Sequence, residues 1–372
     1  MSDDDHPQPD AIPGAPHPRD TVRLIGQEAA EAAFLNAFNT GKLHHAWLLT
    51  GPRGTGKATL AWRLARFLLA TPGPDDGGMF DMPSATSLDI DADHPVARRL
   101  AARAEPGLKS VTRSLNPETK RMRKQIVVDD IRSLGSFFQL SAAEGGRRVV
   151  IIDSADEMNP NAANALLKML EEPPERATLL LISHQPSALL PTVRSRCRVL
   201  RLDTLSPDEM TEAFAALPEP VAGDPGALAE LSGGSVGAAL RLSLLGGLQI
   251  YAELVTLMAS LPRIDRARAL KLAEAAATRG AEEKLALLFT LIDLLLARLA
   301  RTGATGAAPL IEAAPGERDM LIRLAPGPGQ GRAWADIAQE ISSRAQHGLA
   351  VNLDPAALVL DTLQKMGQTA PR

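Results

Sequence analysis

The chain has 372 residues, 45% of them hydrophobic and 23% charged, which suits two or three globular domains and excludes a disordered, collagen-like or coiled-coil chain. Lys and Arg number 40 against 44 Asp and Glu, so the net charge of -4 excludes a polycationic nucleic-acid coat and leaves only a local basic face open. Aromatics make up 3%, so the cores must be built from Leu, Ala, Val and Ile, and the single Cys197 allows neither an internal disulfide nor an all-cysteine metal site.

Residues 1–20 carry five prolines and five aspartates without apolar periodicity and read as a disordered tail. The acidic start Met1-Ser2-Asp3-Asp4-Asp5 is the opposite of a signal peptide. The apolar stretch Leu285–Leu296 is interrupted by Asp293 and is too short to span a bilayer. A cytoplasmic protein without a membrane partner is expected. From Gln27 to Gly41, Ala30, Phe34, Leu35 and Phe38 recur at helical spacing. Ala46–Thr50 reads as a buried strand, followed by a Gly-rich turn and an amphipathic helix near 57–69.

Residues 71–93 hold six aspartates and no Lys or Arg, the composition of an exposed insertion. Beyond it lies the basic cluster Lys120-Arg121-Met122-Arg123-Lys124, which could touch a DNA backbone or balance the acidic loop beside it. Val149–Ile152 and Leu179–Ile182 read as buried strands, with helices at 129–140 and 160–171. Strands alternating with helices imply an α/β fold with a doubly wound parallel sheet. After about residue 204 only helices are expected: 206–217, opened by the capping box Ser206-Pro207-Asp208-Glu209, then 226–246, 249–261, 264–302, 316–324, 331–346 and 354–366. The Gly/Pro-rich stretches 303–316 and 325–332 read as loops.

Gly51-Pro52-Arg53-Gly54-Thr55-Gly56-Lys57 fits a phosphate-binding loop between a strand and a helix. Its glycines let backbone N–H groups turn toward a phosphate, the helix N-terminus adds positive potential, and Lys57 reaches the β- and γ-phosphates. Ala58 stands where a Ser or Thr normally ligates Mg²⁺. Thr59 is rotated by roughly 100° along the helix and cannot replace it. The strand ending in Asp153 matches the acidic element that holds the metal and its water shell, yet Ser154 follows where AAA+ ATPases carry a Glu, and Glu157 lies on a later turn.

Asn164–Pro174 (Asn-Ala-Leu-Leu-Lys-Met-Leu-Glu-Glu-Pro-Pro) and Leu190–Cys197 (Leu-Pro-Thr-Val-Arg-Ser-Arg-Cys) resemble the bacterial clamp-loader AAA+ family, the gamma/tau and delta-prime subunits of DNA polymerase III. Ile25–Glu28 and His45–Leu49 fit too, and the resemblance runs from about 22 to 245. It implies a P-loop AAA+ domain (21–204), a helical lid (205–247) and an all-α collar (248–372) that holds a hetero-oligomeric ring together. It also implies that Arg196 is a finger acting on the ATP of a neighbouring subunit. The ATP-site residues would be Gly51, Gly54, Thr55, Gly56, Lys57, Ala58, Thr59 and Asp153, with weak ATP binding and no hydrolysis. Gly237 occupies the lid position where gamma-type motors place an arginine, and Arg241 is one turn later. With Ala58, Ser154 and Gly237 all departing, the chain resembles the delta-prime type, a stator, rather than a gamma/tau-type ATPase motor. Implied partners are gamma/tau and delta, and through them the sliding clamp and primed DNA. No zinc is expected, since the four-cysteine module that many relatives carry near 71–93 is missing, and the seven histidines form no ligand cluster. His44 and His45 are expected to pack and hydrogen-bond.

Overall fold

The computed structural model describes residues 11–12, 15–21, 23–72, 84–140, 146–278, 280–351 and 353–371. The described residues form two compact units. The first runs to Pro218 and takes in Gly234–Gly237; the second comprises Glu219–Gly233 and everything from Ala238 onward.

In the first unit, α1 (Glu28–Asn39), β1 (Ala46–Thr50), α2 (Lys57–Ala70), α3 (Pro95–Ala101), β2 (Leu108–Val111), α4 (Val128–Leu140), β3 (Arg148–Asp153), α5 (Pro160–Glu171), β4 (Ala177–Ser183), α6 (Pro191–Arg194), β5 (Arg198–Arg201) and α7 (Pro207–Ala215) follow in chain order. The strands lie in the order β2-β3-β4-β1-β5, all parallel, so this is the doubly wound α/β sheet that the alternating pattern implied. The central strands read as unbroken apolar runs because both faces are covered. Trp47, Leu49, Val149, Ile151, Leu180 and Ile182 face α1 and α2, while Leu48, Val150, Ile152, Leu179 and Leu181 face α4 and α5. Every turn that follows a strand therefore opens at one carboxyl edge, where ligands of such sheets bind.

Parts of the first unit differ from expectation. The edge strands β2 (Leu-Lys-Ser-Val) and β5 (Arg-Val-Leu-Arg) carry no apolar run, because each is only partly covered. Residues 15–20, expected within a disordered tail, are fixed: the His17 ring meets Trp62 edge-on at 5.9 Å and the Arg19 carbonyl accepts from Arg66. The other described residues of the expected tail, Ala11 and Ile12, precede them, and the rest lies outside the described residues. Part of the expected insertion at 71–93 is packed as well, with Leu88 buried at 2% exposure and Asp89 paired with Arg63 at 3.1 Å. His44 and His45 stack, and His45 Nε2 bonds the Leu170 carbonyl at 3.0 Å, the packing role expected of them.

The second unit is all-helical: α8 (Pro225–Ser232), α9 (Val236–Leu244), α10 (Gly247–Ala259), α11 (Arg266–Ala277), α12 (Glu282–Thr305), α13 (Glu317–Leu324), α14 (Pro328–Ala350) and α15 (Pro355–Thr369). Two helices expected as single pieces are broken. The expected 226–246 helix stops at the left-handed Gly233, and the expected 264–302 helix stops after Ala277, with Gly280 at φ +83° before α12 begins. Conversely, Gly303 and Gly331, expected in loops, lie inside α12 and α14. A Cβ on Gly303 would stand 2.6 Å from the Gly331 Cα, so these glycines permit two long helices to touch backbone to backbone rather than turn the chain.

The second unit also buries a polar network. Arg298 and Glu317 are 6% and 1% exposed and pair at 2.7 Å. Glu317 accepts from the Tyr251 hydroxyl (2.5 Å) and Ala313 N (2.7 Å), while Arg298 donates to Glu230 at 2.7 Å. Burial, reinforced by Glu317, pushes the Tyr251 phenol far above its ordinary pKa. The carboxylate thereby joins α10, α12 and α13, and the guanidinium carries the tie on to α8. Among the described residues no single helix is long and apolar enough to cross a membrane.

Candidate nucleotide site and arginine finger

The loop between β1 and α2 turns where only glycine fits. Gly51 sits at φ +142°, and a Cβ there would stand 2.2 Å from the Leu202 carbonyl oxygen. Gly54, at φ +79°, would bring a Cβ within 2.5 Å of Ser235 Oγ and 2.9 Å of Gly237 Cα. Gly56 caps the N-terminus of α2, whose first residues Lys57, Ala58 and Thr59 follow on the helix. Thr55 is buried and turns its hydroxyl onto the Pro52 carbonyl at 3.0 Å. Gln27, from the Ile25–Glu28 segment, steadies the loop from behind, its side-chain NH₂ reaching the Asp203 carbonyl (2.9 Å) and the Thr55 carbonyl (3.4 Å).

Lys57 is 2% exposed. Its ammonium donates to the Gly51 and Pro52 carbonyls of its own loop, at 2.8 and 2.5 Å. Burial lowers its pKa to about 8, against the raising effect of Asp153 and Asp156 and with a further lowering from Arg53. This is a cation held at a cost, at the N-terminus of a helix and among backbone donors, an arrangement that favours an arriving phosphate.

The acidic side is occupied by a hydrogen-bond relay. Ser154 Oγ donates to Asp153 Oδ1 at 3.0 Å and contacts His184 Nε2 at 2.9 Å. With the hydroxyl proton directed at Asp153, His184 must present Nε2–H to Ser154. His184 Nδ1 is then a buried acceptor with no donor. Burial, with Lys57 and Arg53 adding to it against Asp156, lowers the His184 pKa to about 4, so the ring is neutral at neutral pH. Asp156 Oδ1 accepts from the His184 backbone N–H at 3.0 Å, and Glu157 pairs with Arg113 at 2.9 Å. Each of these three carboxylates thus already accepts a hydrogen bond or ion pair from the protein.

His184 and Asp156 are functional-site residues that sequence reasoning missed. The available signal was a polar residue just past an apolar strand: β3 and β4 run in register, Asp153 opposite Ile182, so the residues after Ser183 emerge beside Ser154.

The residues present fit a phosphate better than a metal. Ala58 supplies no hydroxyl, Asp153 is engaged by Ser154, and Asp156 is engaged by His184. Among the described residues no three His, Cys, Asp or Glu side chains gather as a metal site requires. Residues 73–83, within the segment expected to lack the zinc module, lie outside the described residues.

The segment Gly234–Gly237 packs on the phosphate loop: Ser235 Oγ donates to the Arg53 carbonyl (2.8 Å) and Gly237 N to the Gly54 carbonyl (3.1 Å). A Cβ on Gly237 would stand 2.8 Å from Gly54 Cα and 2.9 Å from Ile12 Cδ1. Any side chain at position 237 is excluded by backbone. Arg241, one turn on, is exposed.

Arg196 stands between α6 and β5, in a different part of the first unit. Its side chain is 36% exposed, pairs with Glu171 at 2.8 Å and donates to the Thr192 carbonyl at 2.9 Å. Cys197 beside it is half-buried, and burial pushes its thiol up to about 12, so it stays protonated and unreactive.

Residues 26–206 match the family described as DNA polymerase III, delta subunit. The chain is 41% identical over 199 residues to the DNA polymerase III subunit delta' of Pseudomonas aeruginosa, covering 53% of this chain and 55% of that one. It is 32% identical over 172 residues to the subunit delta' of Bacillus subtilis, covering 46% of each. It is 30% identical over 286 residues to the subunit tau of Escherichia coli, covering 73% of this chain and 40% of that one. The matched part thus spans about half the length of these relatives, or less.

Proposed function

We propose, from the match of residues 26–206 to the family described as DNA polymerase III, delta subunit, and from the delta' and tau relatives, that this chain is a delta-prime-type stator of a clamp loader. It joins gamma/tau and delta in a hetero-oligomeric ring and lends Arg196 to the ATP of a neighbour. The ring then opens the sliding clamp and places it on primed DNA. In this reading residues 21–204 are the AAA+ domain, the helices of 205–247 are the lid, of which α7 and Gly234–Gly237 belong to the first compact unit, and those of 248–372 are the collar through which subunits associate.

The observation that carries the reading is an asymmetry. Arg196 is partly exposed, with its two terminal nitrogens held by the Thr192 carbonyl and the Glu171 carboxylate. The chain's own site, by contrast, lacks a hydroxyl at Ala58, a base at Ser154 and room for any side chain at Gly237. A guanidinium placed against a developing γ-phosphate charge is worth on the order of 10³ to 10⁵ in rate, so a subunit can act entirely through that group.

Within its own loop, Lys57 and the N-terminus of α2 would hold the phosphates of ATP weakly. ATP when bound would supply only charge and shape, because no residue here activates water. The test is nucleotide binding and turnover by the isolated chain. Weak binding that is indifferent to Mg²⁺, without turnover, is expected. Steady hydrolysis, or sub-micromolar Mg²⁺-dependent affinity, would make it a gamma/tau-type motor instead.

A further inference from the structure

The N-terminal segment is anchored on α2. The His17 ring packs on Trp62, and the Arg19 carbonyl accepts from Arg66. The His17 carbonyl accepts from Asp20 N (2.8 Å) and Thr21 N (3.2 Å), while its Nδ1 accepts from Arg19 N at 3.1 Å. The Arg19 side chain is 11% exposed. Pro16 and Pro18 flank His17 and stiffen the chain, so ordering it costs less entropy. Ahead of this anchor, Ala15 N donates to the carbonyl of the half-buried Ile12 at 3.1 Å.

Ile12 Cδ1 lies 2.9 Å from where a Cβ on Gly237 would stand, on the same side as the Gly54 Cα at 2.8 Å. The isoleucine therefore fills space that a side chain at 237 would need, the position where the resemblance expects an arginine in gamma-type motors. Gly234–Gly237 is itself bonded to the loop, Ser235 Oγ to the Arg53 carbonyl and Gly237 N to the Gly54 carbonyl. Leu24 closes on the loop farther along, its Cδ1 2.5 Å from where a Cβ on Gly56 would stand. Apolar side chains from before α1 thus lean on glycines of the phosphate loop and of the segment that covers it.

We propose that Ile12 and residues 15–20 form a strap that pins Gly234–Gly237 to the phosphate loop, so that this segment keeps its seat without nucleotide. In a gamma-type motor the arginine expected at this position would join lid and loop only through a bound γ-phosphate. Here a methyl group seated on a glycine supplies the join, and apolar burial is indifferent to the charge of a phosphate. Ile12 is a positioning residue, since it touches the covering segment and no reacting atom. The consequence, a ring position that holds its conformation while its neighbours cycle, rests on the stator reading. The strap itself is a property of the single chain.

The test is hydrogen exchange of the full chain without nucleotide, read at the Gly237 amide that donates to Gly54. The wild type is compared with Ile12→Ala and with a chain lacking residues 1–14. In the wild type this amide is expected to be protected. Ile12→Ala should speed its exchange by about tenfold and the truncation by at least as much, with the Val150 and Leu180 amides at the sheet centre unchanged. A wild-type Gly237 amide that is protected only after ATP is added overturns the strap, and so does unchanged exchange in both variants. Equal acceleration at Val150 and Leu180 overturns it too, since Ile12 would then serve only global stability. A loss of ATP affinity in Ile12→Ala with Gly237 exchange unaltered overturns it in favour of a nucleotide contact. Failure of the wild-type chain to join gamma/tau and delta would overturn the stator reading alone, because exchange is read on the single chain.

Discussion

Arg196 and Glu171 form an ion pair at 2.8 Å that joins the two sequence motifs on which the clamp-loader resemblance rests, one on the helix α5 and the other on the turn before β5. Glu171 is 49% exposed, so the pair is a surface contact worth at most about 1 kcal/mol, enough to aim a guanidinium and too little to imprison it. Glu171 is therefore a positioning residue. Glu171→Gln is expected to leave the unfolding midpoint unchanged and to lower the DNA-stimulated ATP turnover of the complex less than about fivefold, well short of the loss from removing Arg196. An equal or larger loss for Glu171→Gln would mean that the carboxylate touches the neighbour itself.

The Lys57 ammonium, displaced to about 8 by burial, gives the stability a defined pH dependence. Between about 8 and the ordinary value of 10.5, the unfolded chain binds a proton that the folded chain does not. The unfolded state thus holds more protons in that window, so the contribution of Lys57 to stability rises with pH from 8 upward. Denaturant unfolding of the wild type against Lys57→Met, followed from pH 7 to 10, should show the difference shifting in favour of the wild type. Affinity for inorganic triphosphate should fall over the same range as the cation is lost. A flat difference curve would place Lys57 in water.

Placing an arginine at position 237, where the resemblance to gamma-type motors expects one, should fail for a steric reason. Gly237→Arg places a Cβ 2.8 Å from the Gly54 backbone, so the segment must move off the phosphate loop before the guanidinium can point anywhere. The expected outcome is a destabilisation of about 1–3 kcal/mol and no gain in ATP turnover, even combined with Ala58→Thr and Ser154→Glu. A triple variant that hydrolyses ATP would show that the site is only dormant.

The buried pair Arg298–Glu317 should behave as a unit. Glu317→Gln leaves a guanidinium that is 6% exposed with only Glu230 for a counter-charge, and a loss of about 3–5 kcal/mol in unfolding free energy is expected. The double variant Arg298→Met/Glu317→Leu should recover much of that loss, because it removes both buried charges together. Additive losses in this double-mutant cycle would contradict the description of one coupled network.

The sheet centre was legible because β1, β3 and β4 are covered on both faces and so spell continuous apolar runs. The edge strands β2 and β5 were not legible, since one covered face leaves room for Lys109, Arg198 and Arg201 in the sequence. Glycine misled in both directions: at 303 and 331 it marks a close helix crossing, while Gly233 and Gly280, inside stretches that read as continuous helix, lie where the helix stops. The phosphate loop, Asp153 and Arg196 could be named from motifs because their chemistry is local. His184 could not, because it lies 30 positions from Ser154 in sequence and only strand register brings them together. The Arg298–Glu317 pair was hidden between two stretches that read only as helices, 264–302 and 316–324.

The central claim, that this chain acts by lending a guanidinium rather than by hydrolysing ATP itself, is tested most directly in the reconstituted complex. DNA- and clamp-stimulated ATP turnover would be measured for gamma/tau and delta with no added chain, with the wild-type chain, and with Arg196→Ala, assembly being verified in each case. The account predicts that the wild-type chain raises turnover and that Arg196→Ala loses most of the rise while still assembling. An assembled Arg196→Ala complex that turns over ATP as fast as the wild type would contradict it.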